Sequence, residues 1–322
     1  MRTSQVKVTP GGPQSSGAES PEIEFSEIVQ GYWRMGDWNR SAQDHLRFLK
    51  QHIELGITTV DHAHVYGSNP SCEELFGSAL ALDSSLREQI QIVSKCGIEL
   101  RDNSPQVNHY NSTPAAITES VETSLRRLGV DNLDVLLLHR PDWLMDVDAV
   151  ADCFQRLKTS GKVQHFGVSN FTVSQFSLLQ SRLETPLVTN QVEINPLNMS
   201  AINDGTLDQL QQNRVRPMAW SCLAGGRVFS ESSEQMSRLK QCLEQVAKEL
   251  DDQASINQVS ADKITIDQVL YAWVMALPSK PIVIAGSGNV ERLKLAVNAL
   301  KLKLTQEQWY RIWVAANGYG VP

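Results

Sequence analysis

The stretch GITTVDHAHVYG, residues 56–67, changes character halfway along its length. Its first half is apolar and β-branched, which is typical of a buried strand, and its second half brings an acid, two imidazoles and a phenol. A buried strand is stabilised by packing and needs no polar side chains at its carboxyl end. We therefore interpret this junction as the place where the chain carries its chemistry.

The apolar strand of this stretch is one of a series. Helical periodicity predicts intervening helices, of which the first covers 41–55 and the last two cover 290–299 and 305–316. The predicted strands cover residues 28–33, 57–61, 90–95, 133–139, 163–170, 187–192, 216–221 and 281–286. Eight strands alternating with helices predict one α/β domain, a (β/α)8 TIM barrel. A doubly wound sheet usually has fewer strands, and no Gly-x-Gly-x-x-Gly follows the first strand here.

Two segments fall outside this repeat. Residues 1–22 are rich in Ser, Gly and Pro, so we expect a flexible lead-in or an N-terminal hairpin ahead of a barrel domain at 23–322. The long loop after strand seven, residues 222–263, contains a charged helix near 233–250. A segment of this length on the carboxyl side of a barrel strand is where a lid over a ligand would lie. A surface extension is the alternative.

Length, charge and cysteine usage exclude several classes of partner. The 322 residues suffice for one large barrel, and the net charge of −7 without a Lys or Arg cluster argues against nucleic acid and anionic membranes as partners. Five cysteines show neither a CxxC pair nor metal-ligand spacing, and no segment has the length and apolarity of a membrane span. We expect a reduced, cytoplasmic protein. The sequence shows no exposed apolar stripe that would have to be buried against a partner chain, so we expect a monomer.

Ionisable residues follow three consecutive predicted strands. Asp61 and Tyr66 follow strand two, Lys95 ends strand three, and His139 ends strand four. In a barrel these ends meet on one rim, the face that holds active sites. Each residue type alone more often has a structural role, but four on one rim favour catalysis.

The four residue types fit a proton donor and its supports. The ordinary pKa of a tyrosine is about 10, and an adjacent ammonium such as Lys95 lowers it. A buried ammonium needs a counter-charge, which Asp61 can supply, and His139 can orient a carbonyl oxygen. The sequence therefore predicts Tyr66 as a general acid.

The pair His62 and His64 indicates a competing metal site. Asp61 or His139 could complete a hydrolytic zinc or iron centre with them. However, His165 lies inside strand five and no histidine follows it, so further ligands are missing. We predict no metal, with His62 packed in the core and His64 lining the pocket.

The later strands end in neutral and aromatic binding groups. Side-chain amides suit a carboxamide, an indole suits stacking on a flat ring, and a helix N-terminus with an arginine suits a phosphate. Together they predict a nicotinamide dinucleotide site. The residues are Ser169, Asn170, Gln191, Trp220, Ser221, Gly286, Ser287, Gly288, Asn289 and Arg292. A core role for Trp220 and a surface role for Arg292 are the alternatives.

These motifs together resemble those of the aldo-keto reductases, over almost the whole chain from Gly31 to about residue 316. Several ordered motifs at the family spacing are more specific than any one of them. The matching pieces are Asp61-x4-Tyr66-Gly67, Ser94-Lys95, residues 137–141, 161–163, 167–171 and 190–193, Gly286-Ser287 and residues 291–293. The segments 94–97 and 218–223 resemble a bacterial branch of oxidoreductases in this family.

The resemblance implies a TIM-barrel enzyme that reduces a small-molecule carbonyl compound with NADP(H). Tyr66 would be the general acid, Lys95 and Asp61 would lower its pKa, and His139 would orient the carbonyl. The implied cofactor residues are Gly31, Tyr32, Ser169, Asn170, Gln191, Trp220, Ser221, Leu223, Gly225, Gly286, Ser287, Gly288, Asn289 and Arg292. Within that set the resemblance assigns the carboxamide to residues 169, 170 and 191, nicotinamide stacking to 220, the pyrophosphate to 221–227, and the 2′-phosphate to 287 and 292.

Two departures from the family pattern concern the nucleotide. Many members have a lysine at the position of Gly286, and Ala296 occupies a place often filled by a polar adenine contact. A preference for NADPH over NADH therefore depends mainly on Arg292.

The substrate pocket is expected to be lined by Trp33, Val65 and Trp143, which suits hydrophobic aldehydes or ketones. An alternative function is a nucleotide-binding sensor or regulatory subunit on the same fold with vestigial catalysis. The intact set of four polar residues argues against that alternative, because a pure binder does not need all of them.

Overall fold

An antiparallel pair of strands precedes the main body of the fold. The computed structural model describes residues 5–8, 23–101, 105–256 and 263–322. Strands β1 (Gln5–Val8) and β2 (Ile23–Ser26) form the pair. Of the lead-in or hairpin expected over residues 1–22, only β1 is described, and the remainder lies outside the described residues. The division into residues 1–22 and a barrel domain at 23–322 stays a prediction.

The predicted TIM barrel is confirmed. In the described part of the chain eight parallel strands close on one another, and the short β6 and β7 form a separate antiparallel pair. The strands after β2 are β3 (Ile28–Gly31), β4 (Thr59–Asp61), β5 (Gln91–Cys96), β6 (Ile98–Glu99), β7 (His109–Tyr110), β8 (Leu133–Leu138), β9 (Val163–Ser169), β10 (Asn190–Glu193), β11 (Met218–Trp220) and β12 (Ile282–Ala285). The barrel runs from β3 through β4, β5 and β8 to β12, which pairs with β3.

Apolar side chains from the strands fill the barrel interior. Ile23 and Phe25 of β2 pack into this cluster, so the N-terminal pair covers one end of the barrel. The other members are Val29, Val93, Val135, Leu137, Val188, Met218 and Ile282. Their alternation along the strands follows from the two-residue period of a pleated strand.

Helices cover the outside of the barrel. Ser41 accepts a hydrogen bond from the Asp44 amide and begins the first helix, as its residue type predicts. The helices are α1 (Ala42–Glu54), α2 (Cys72–Leu80), α3 (Pro114–Leu128), α4 (Val147–Thr159), α5 (Val173–Gln180), α6 (Ser200–Asn203), α7 (Thr206–Gln212), α8 (Arg227–Ser230), α9 (Glu234–Ile256), α10 (Ile266–Met275), α11 (Val290–Ala299) and α12 (Gln306–Asn317). No helix within the described ranges is long and apolar enough to span a membrane.

Several barrel strands begin later than predicted, among them the strand predicted over 57–61, which begins at Thr59. The predicted strand 187–192 begins at Asn190, although Leu187 and Val188 are buried in the core. The predicted strand 216–221 begins at Met218. An apolar run marks which residues are buried, and it does not mark where the ladder of hydrogen bonds starts.

The long segment after β11 is mainly a helix on the outside of the molecule. Helix α9 buries one apolar face against α10 and α12, through Met236, Leu239, Leu243, Val246 and Leu250. Residues between 221 and 229 at the start of the segment line the cavity described below, so a lid over a ligand stays a prediction for that part. The helical periodicity of the apolar residues accounts for this packing.

Candidate active site

Lys95 and Asp61 form a buried ion pair at the carboxyl ends of adjacent strands. Asp61 in β4 pairs with Val93 in β5, and Lys95 follows two residues later on the same face of β5. The Lys95 side chain is 0% exposed, and its Nζ lies 2.7 Å from Asp61 Oδ2. The ammonium also donates to the His62 carbonyl at 2.8 Å and to the Tyr66 hydroxyl at 3.1 Å. All three donors are thus directed at acceptors, which fixes the position of the charge.

Gln191 is the second partner of Asp61. Its Nε2 donates to Asp61 Oδ1 at 2.8 Å, across the barrel from β10. The Asp61 carboxylate is therefore shared between an ammonium and an amide. No described residue donates to Gln191 Oε1, so this oxygen is free for the ligand carboxamide that the sequence assigns to this position.

Tyr66 lies above Lys95 on the loop after β4. Burial raises the pKa of Tyr66, and the nearby charge of Lys95 opposes this rise without cancelling it. Burial lowers the pKa of Lys95, but Asp61 and Tyr66 raise it more, so the net shift is upward. Lys95 lowers the pKa of Tyr66 as expected, but Asp61 raises it, contrary to expectation, and desolvation outweighs the charge of Lys95, so the net shift is upward. Tyr66 is a protonated phenol at neutral pH and can donate a proton.

His139 faces Tyr66 from the end of β8. The two rings are 5.7 Å apart between centroids at an angle of 77°, and the His139 amide donates to the Cys96 carbonyl. Burial, followed by the charges of Lys95 and Arg140, lowers the pKa of His139 to about 2. The imidazole is therefore neutral at physiological pH, and it can act as a hydrogen-bond donor without acting as a cation.

One cavity of about 910 Å³ opens onto these residues. Such a volume lies in the range typical of small-molecule and cofactor sites. The structure brings most of the predicted site residues to its wall, namely Gly31, Trp33, Asp61, Val65, Tyr66, His139, Ser169, Asn170, Gln191, Trp220, Ser221, Leu223, Gly225, Gly286, Ser287 and Arg292.

Tyr32 belongs to the core and not to the cavity wall. Its hydroxyl lies 2.9 Å from His52 Nε2, and its ring stacks on His62 at 4.8 Å between centroids. Both contacts hold the side chain 1% exposed beneath the rim. The Tyr32 side chain therefore does not line the cavity, and the assignment of Tyr32 to the cofactor site stays a prediction.

Four other predicted residues do not line the cavity, of which Lys95 is the fully buried partner of Asp61. Trp143 is 86% exposed and contacts Tyr110, so it is not part of the substrate pocket wall. Gly288 packs against Trp38, whose ring a Cβ at this position would meet at 2.6 Å. Asn289 accepts from the Glu291 amide and caps α11. The roles of Gly288 and Asn289 are thus in shaping the loop after β12.

The two histidines that raised the metal hypothesis lie in different surroundings. His62 is 0% exposed, stacks on Tyr32 and meets Phe76 edge-to-face, which agrees with its expected packing role. His64 does not line the cavity, contrary to expectation. Its ring nitrogens lie 2.8 Å from the Lys95 carbonyl and 2.9 Å from the Ile98 carbonyl, so it holds the ends of β5 and β6.

Several residues of the cavity wall were not predicted. Arg34 and Arg140 directly follow the predicted Trp33 and His139, and this position next to site residues indicates that they can line the cavity. The local sequence does not indicate that the others approach the cavity. They are Ile98, Leu100, Phe229, Asp267, Tyr271, Ile284 and Leu295, whereas Cys222 and Gly226 lie within the predicted segment 221–227.

Glycines in the cavity wall form a cradle for a ligand backbone or phosphate. At Gly225, Gly226 and Gly286 an added Cβ would meet nothing within 4 Å, so its place is open space on the cavity side. Gly225 and Gly226 also have φ values of +67° and +92°, which favour glycine. Open glycine backbone beside a helix start and Arg292 fits the phosphates of a dinucleotide.

Comparisons with known proteins agree with this geometry. A model of the aldo/keto reductase family matches residues 27–316. The chain is 51% identical to oxidoreductase YdhF of Escherichia coli (strain K12), over 99% of each chain. It is 38% identical to the 6-dehydroglucose reductase of Agrobacterium fabrum, over 94% of this chain and 97% of that one. The crystal structure of the thermostable aldo-keto reductase Tm1743 with the inhibitor epalrestat has a TM-score of 0.73 at 26% identity, over 96% of this chain and 99% of that one. The chain therefore belongs to the aldo/keto reductase family of oxidoreductases.

Proposed function

We propose that the protein reduces an aldehyde or ketone to the alcohol, with NADPH as the reductant and Tyr66 as the general acid. The observation that carries this proposal is the contact of 3.1 Å between the Tyr66 hydroxyl and the buried Lys95 ammonium, at the wall of a ligand-sized cavity. A protonated phenol held against a fixed positive charge can release its proton to a substrate, because the charge stabilises the phenolate that remains.

The nucleotide would be held by residues from the second half of the barrel. Asn170 and Gln191 present amides for the carboxamide, and the Trp220 ring offers a flat face for the nicotinamide. Arg292 is exposed near the start of α11 and forms no ion pair among the described side chains, so its charge is free for the 2′-phosphate. A bound NADPH supplies the hydride that the carbonyl carbon receives.

The residues of the first half handle the proton and the charge on oxygen. The substrate oxygen would accept hydrogen bonds from the Tyr66 hydroxyl and from Nε2 of the neutral His139. As negative charge grows on that oxygen, Tyr66 gives up its proton to it and becomes a phenolate. Lys95 stabilises the phenolate, and Asp61 keeps the ammonium charged in its buried position. The tyrosine regains its proton from solvent after the alcohol leaves.

The relatives support a carbonyl substrate of this kind. The Agrobacterium fabrum relative is a 6-dehydroglucose reductase, and its alignment with this chain covers nearly the whole length of both. We extend carbonyl reduction from it to this chain because the acid, its lysine and its aspartate are all present in contact.

Replacement of Tyr66 by Phe tests the function. We expect kcat for carbonyl reduction to fall by roughly 10²–10⁴-fold, as is typical for loss of a general acid, while the Kd for NADPH changes little. Turnover is followed by NADPH absorbance with a panel of aldehydes and ketones, and Kd by fluorescence titration. Tyr310→Phe, an exposed tyrosine on α12, is the matched control and should behave as the native protein. Native protein that binds NADPH but reduces no carbonyl would instead support the nucleotide sensor.

We also propose that the enzyme works as a monomer in the cytoplasm. All five cysteines are free thiols, and Cys72, Cys96, Cys153 and Cys222 are buried in the reduced form, which suits a reducing compartment. Light scattering measured together with size-exclusion chromatography would give a mass of 35.8 kDa for a monomer.

A further inference from the structure

Two arginines line the cavity beside the reacting groups. Arg140 directly follows His139 at the end of β8 and is partly buried, and Arg34 follows Trp33 after β3 and is exposed at the mouth of the cavity. Both follow one of the first four barrel strands, as Tyr66 and His139 do. The proposed nucleotide site in the second half of the barrel already has Arg292.

Aromatic rings hold both guanidinium groups without neutralising them. Arg140 Cζ lies 5.9 Å from the centroid of the Trp220 ring, and Arg34 Cζ lies 5.2 Å from that of Trp33. No described Asp or Glu side chain forms an ion pair with either arginine. A cation over an aromatic face keeps its charge and most of its donors for a ligand.

The acids of the cavity wall do not compensate these two charges. Asp61 is bound by Lys95 at 2.7 Å. Burial, followed by Cys222 and Asp267, raises the pKa of Tyr271. Asp267 forms no ion pair with Arg34 or Arg140 among the described residues. The whole chain has a net charge of −7. The cavity wall therefore carries two arginines that have no acidic partner in the described part of the chain, in a protein whose net charge is negative.

The charge of Arg140 affects the pKa values of His139 and Tyr66. Burial lowers the pKa of His139 most, followed by the charges of Lys95 and Arg140. Burial raises the pKa of Tyr66, and Arg140 is among the charges that oppose this rise. An anion bound at Arg140 would therefore lie close to the carbonyl that Tyr66 protonates.

We propose that the substrate is a carbonyl compound with an anionic group, a carboxylate or a phosphate, which Arg34 and Arg140 bind. This inference rests on the proposed reductase function of the same cavity. A planar guanidinium presents paired donors that match the oxygens of either anion. The exposed apolar side chains of Trp33, Leu100 and Phe229 on the same wall offer contacts for the remainder of the substrate.

Matched substrate pairs test the proposal by turnover. The carboxylate arm compares 4-carboxybenzaldehyde with methyl 4-formylbenzoate, and the phosphate arm compares glyceraldehyde 3-phosphate with glyceraldehyde. We expect kcat/KM to be at least about tenfold higher for the anionic member of one or both pairs, since hydrogen bonds between charged groups exceed neutral ones by this order. Added salt should reduce the ratio. Equal kcat/KM within both pairs would overturn the proposal and leave the reductase function intact.

Substitutions test which residues cause the preference. In the double variant Arg34→Gln/Arg140→Gln the ratio of anionic to neutral kcat/KM should fall towards one. Arg126→Gln, an exposed arginine on α3 outside the cavity, is the matched control and should keep the native ratio. An unchanged ratio in the double variant would overturn the proposal. So would a loss of NADPH affinity without a change in the ratio, because Arg140 would then serve the nucleotide.

A binding measurement separates this proposal from the reductase function. Calorimetric titration of the NADP⁺-saturated protein with benzoate and with benzamide requires no turnover. We expect benzoate to bind at least about tenfold more tightly, and the double variant to lose this difference. If no carbonyl is reduced, the reductase function is wrong, and the benzoate result still decides the anion site. Equal binding of the two compounds would count against the anion site.

Discussion

The Lys95 ammonium is the residue-scale feature on which the proposed chemistry depends. A charge that is 0% exposed is stable only when its donors are satisfied, and Asp61, the His62 carbonyl and Tyr66 satisfy them. The same three contacts fix the distance from the charge to the phenol. Stability of the buried charge and positioning of the proton donor therefore have one structural origin.

Unlike Lys95, His62 is buried without polar partners. Both ring nitrogens lack a hydrogen bond among the described residues, and the ring stacks on Tyr32 and meets Phe76 edge-to-face. Burial, followed by the charge of Lys95, lowers the pKa of His62 to about 3. The ring is thus a neutral aromatic packing unit in the folded state.

This burial makes the protein less stable in acid. Below the ordinary histidine pKa of about 6.5 the unfolded chain binds a proton that folded His62 does not bind until pH about 3. The free energy of unfolding therefore decreases as pH falls through this window, by about 1.4 kcal/mol per pH unit for this residue. Between pH 6.5 and pH 5 we expect His62 to contribute a loss of about 2 kcal/mol.

The variant His62→Phe should remove this contribution. Phenylalanine keeps the ring stack and cannot bind a proton. The difference in free energy of unfolding between the variant and the native protein should therefore shift by about 2 kcal/mol in favour of the variant from pH 7 to pH 5. Urea unfolding at pH 5, 6 and 7 measures it. Phe76→Leu in the same stack is the control, and its effect should not vary with pH. A parallel pH dependence of His62→Phe and native protein would contradict the expectation.

At the scale of elements, helices α2 and α3 meet at Gly77. A Cβ at this position would lie 2.1 Å from the Arg127 carbonyl oxygen in α3. The close approach lets the Arg127 guanidinium donate to the His64 carbonyl at 2.9 Å. The contact of the two helices therefore supports the loop that carries Tyr66.

Replacement of Gly77 by Ala should destabilise the protein. Alanine normally stabilises a helix interior by about 0.5–1 kcal/mol relative to glycine, but here the added methyl group meets backbone and the helices must separate. We expect a net loss of about 1–3 kcal/mol in the free energy of unfolding, with reduced kcat. Gly36→Ala is the control, since nothing lies within 4 Å of its added Cβ. A raised melting temperature for Gly77→Ala would contradict the packing argument.

At the scale of the whole molecule, the cavity joins strands and loops from around the barrel. A nucleotide bound there contacts parts of the chain that separate on unfolding, so binding should stabilise the fold by mass action. At a free NADPH concentration of 100 times Kd we expect about 2.7 kcal/mol of stabilisation. Thermal unfolding across a series of NADPH and NADH concentrations measures both Kd values.

The variant Arg292→Gln tests the nucleotide preference in the same assay. Loss of one guanidinium facing the 2′-phosphate should weaken NADPH binding by roughly tenfold or more and change NADH binding little. Lys294→Gln is the matched control on α11, because Lys294 pairs with Glu291 and does not line the cavity. If Arg292→Gln weakened the binding of NADPH and NADH equally, Arg292 would not be the residue that binds the 2′-phosphate.

The sequence by itself determined the barrel and the position of its proposed reacting groups. Strands and helices have local periodicities, and the end of a strand in a closed parallel barrel always reaches the same rim. Asp61, Tyr66, Lys95 and His139 could therefore be assigned to one site without coordinates. The same reasoning identified Asn170, Gln191 and Gly286 at the ends of strands in the second half of the barrel.

Only the tertiary structure decided how these groups behave and what surrounds them. The direction of the Tyr66 pKa shift depends on the competition between burial and the charge of Lys95, and burial depends on the packing of distant segments. The core position of Tyr32 and the exposed position of Trp143 have the same cause. The unpaired state of Arg140 also depends on which acids approach it in space. Local patterns fix where a residue lies along its element, whereas neighbours brought together by folding fix its charge, exposure and partners.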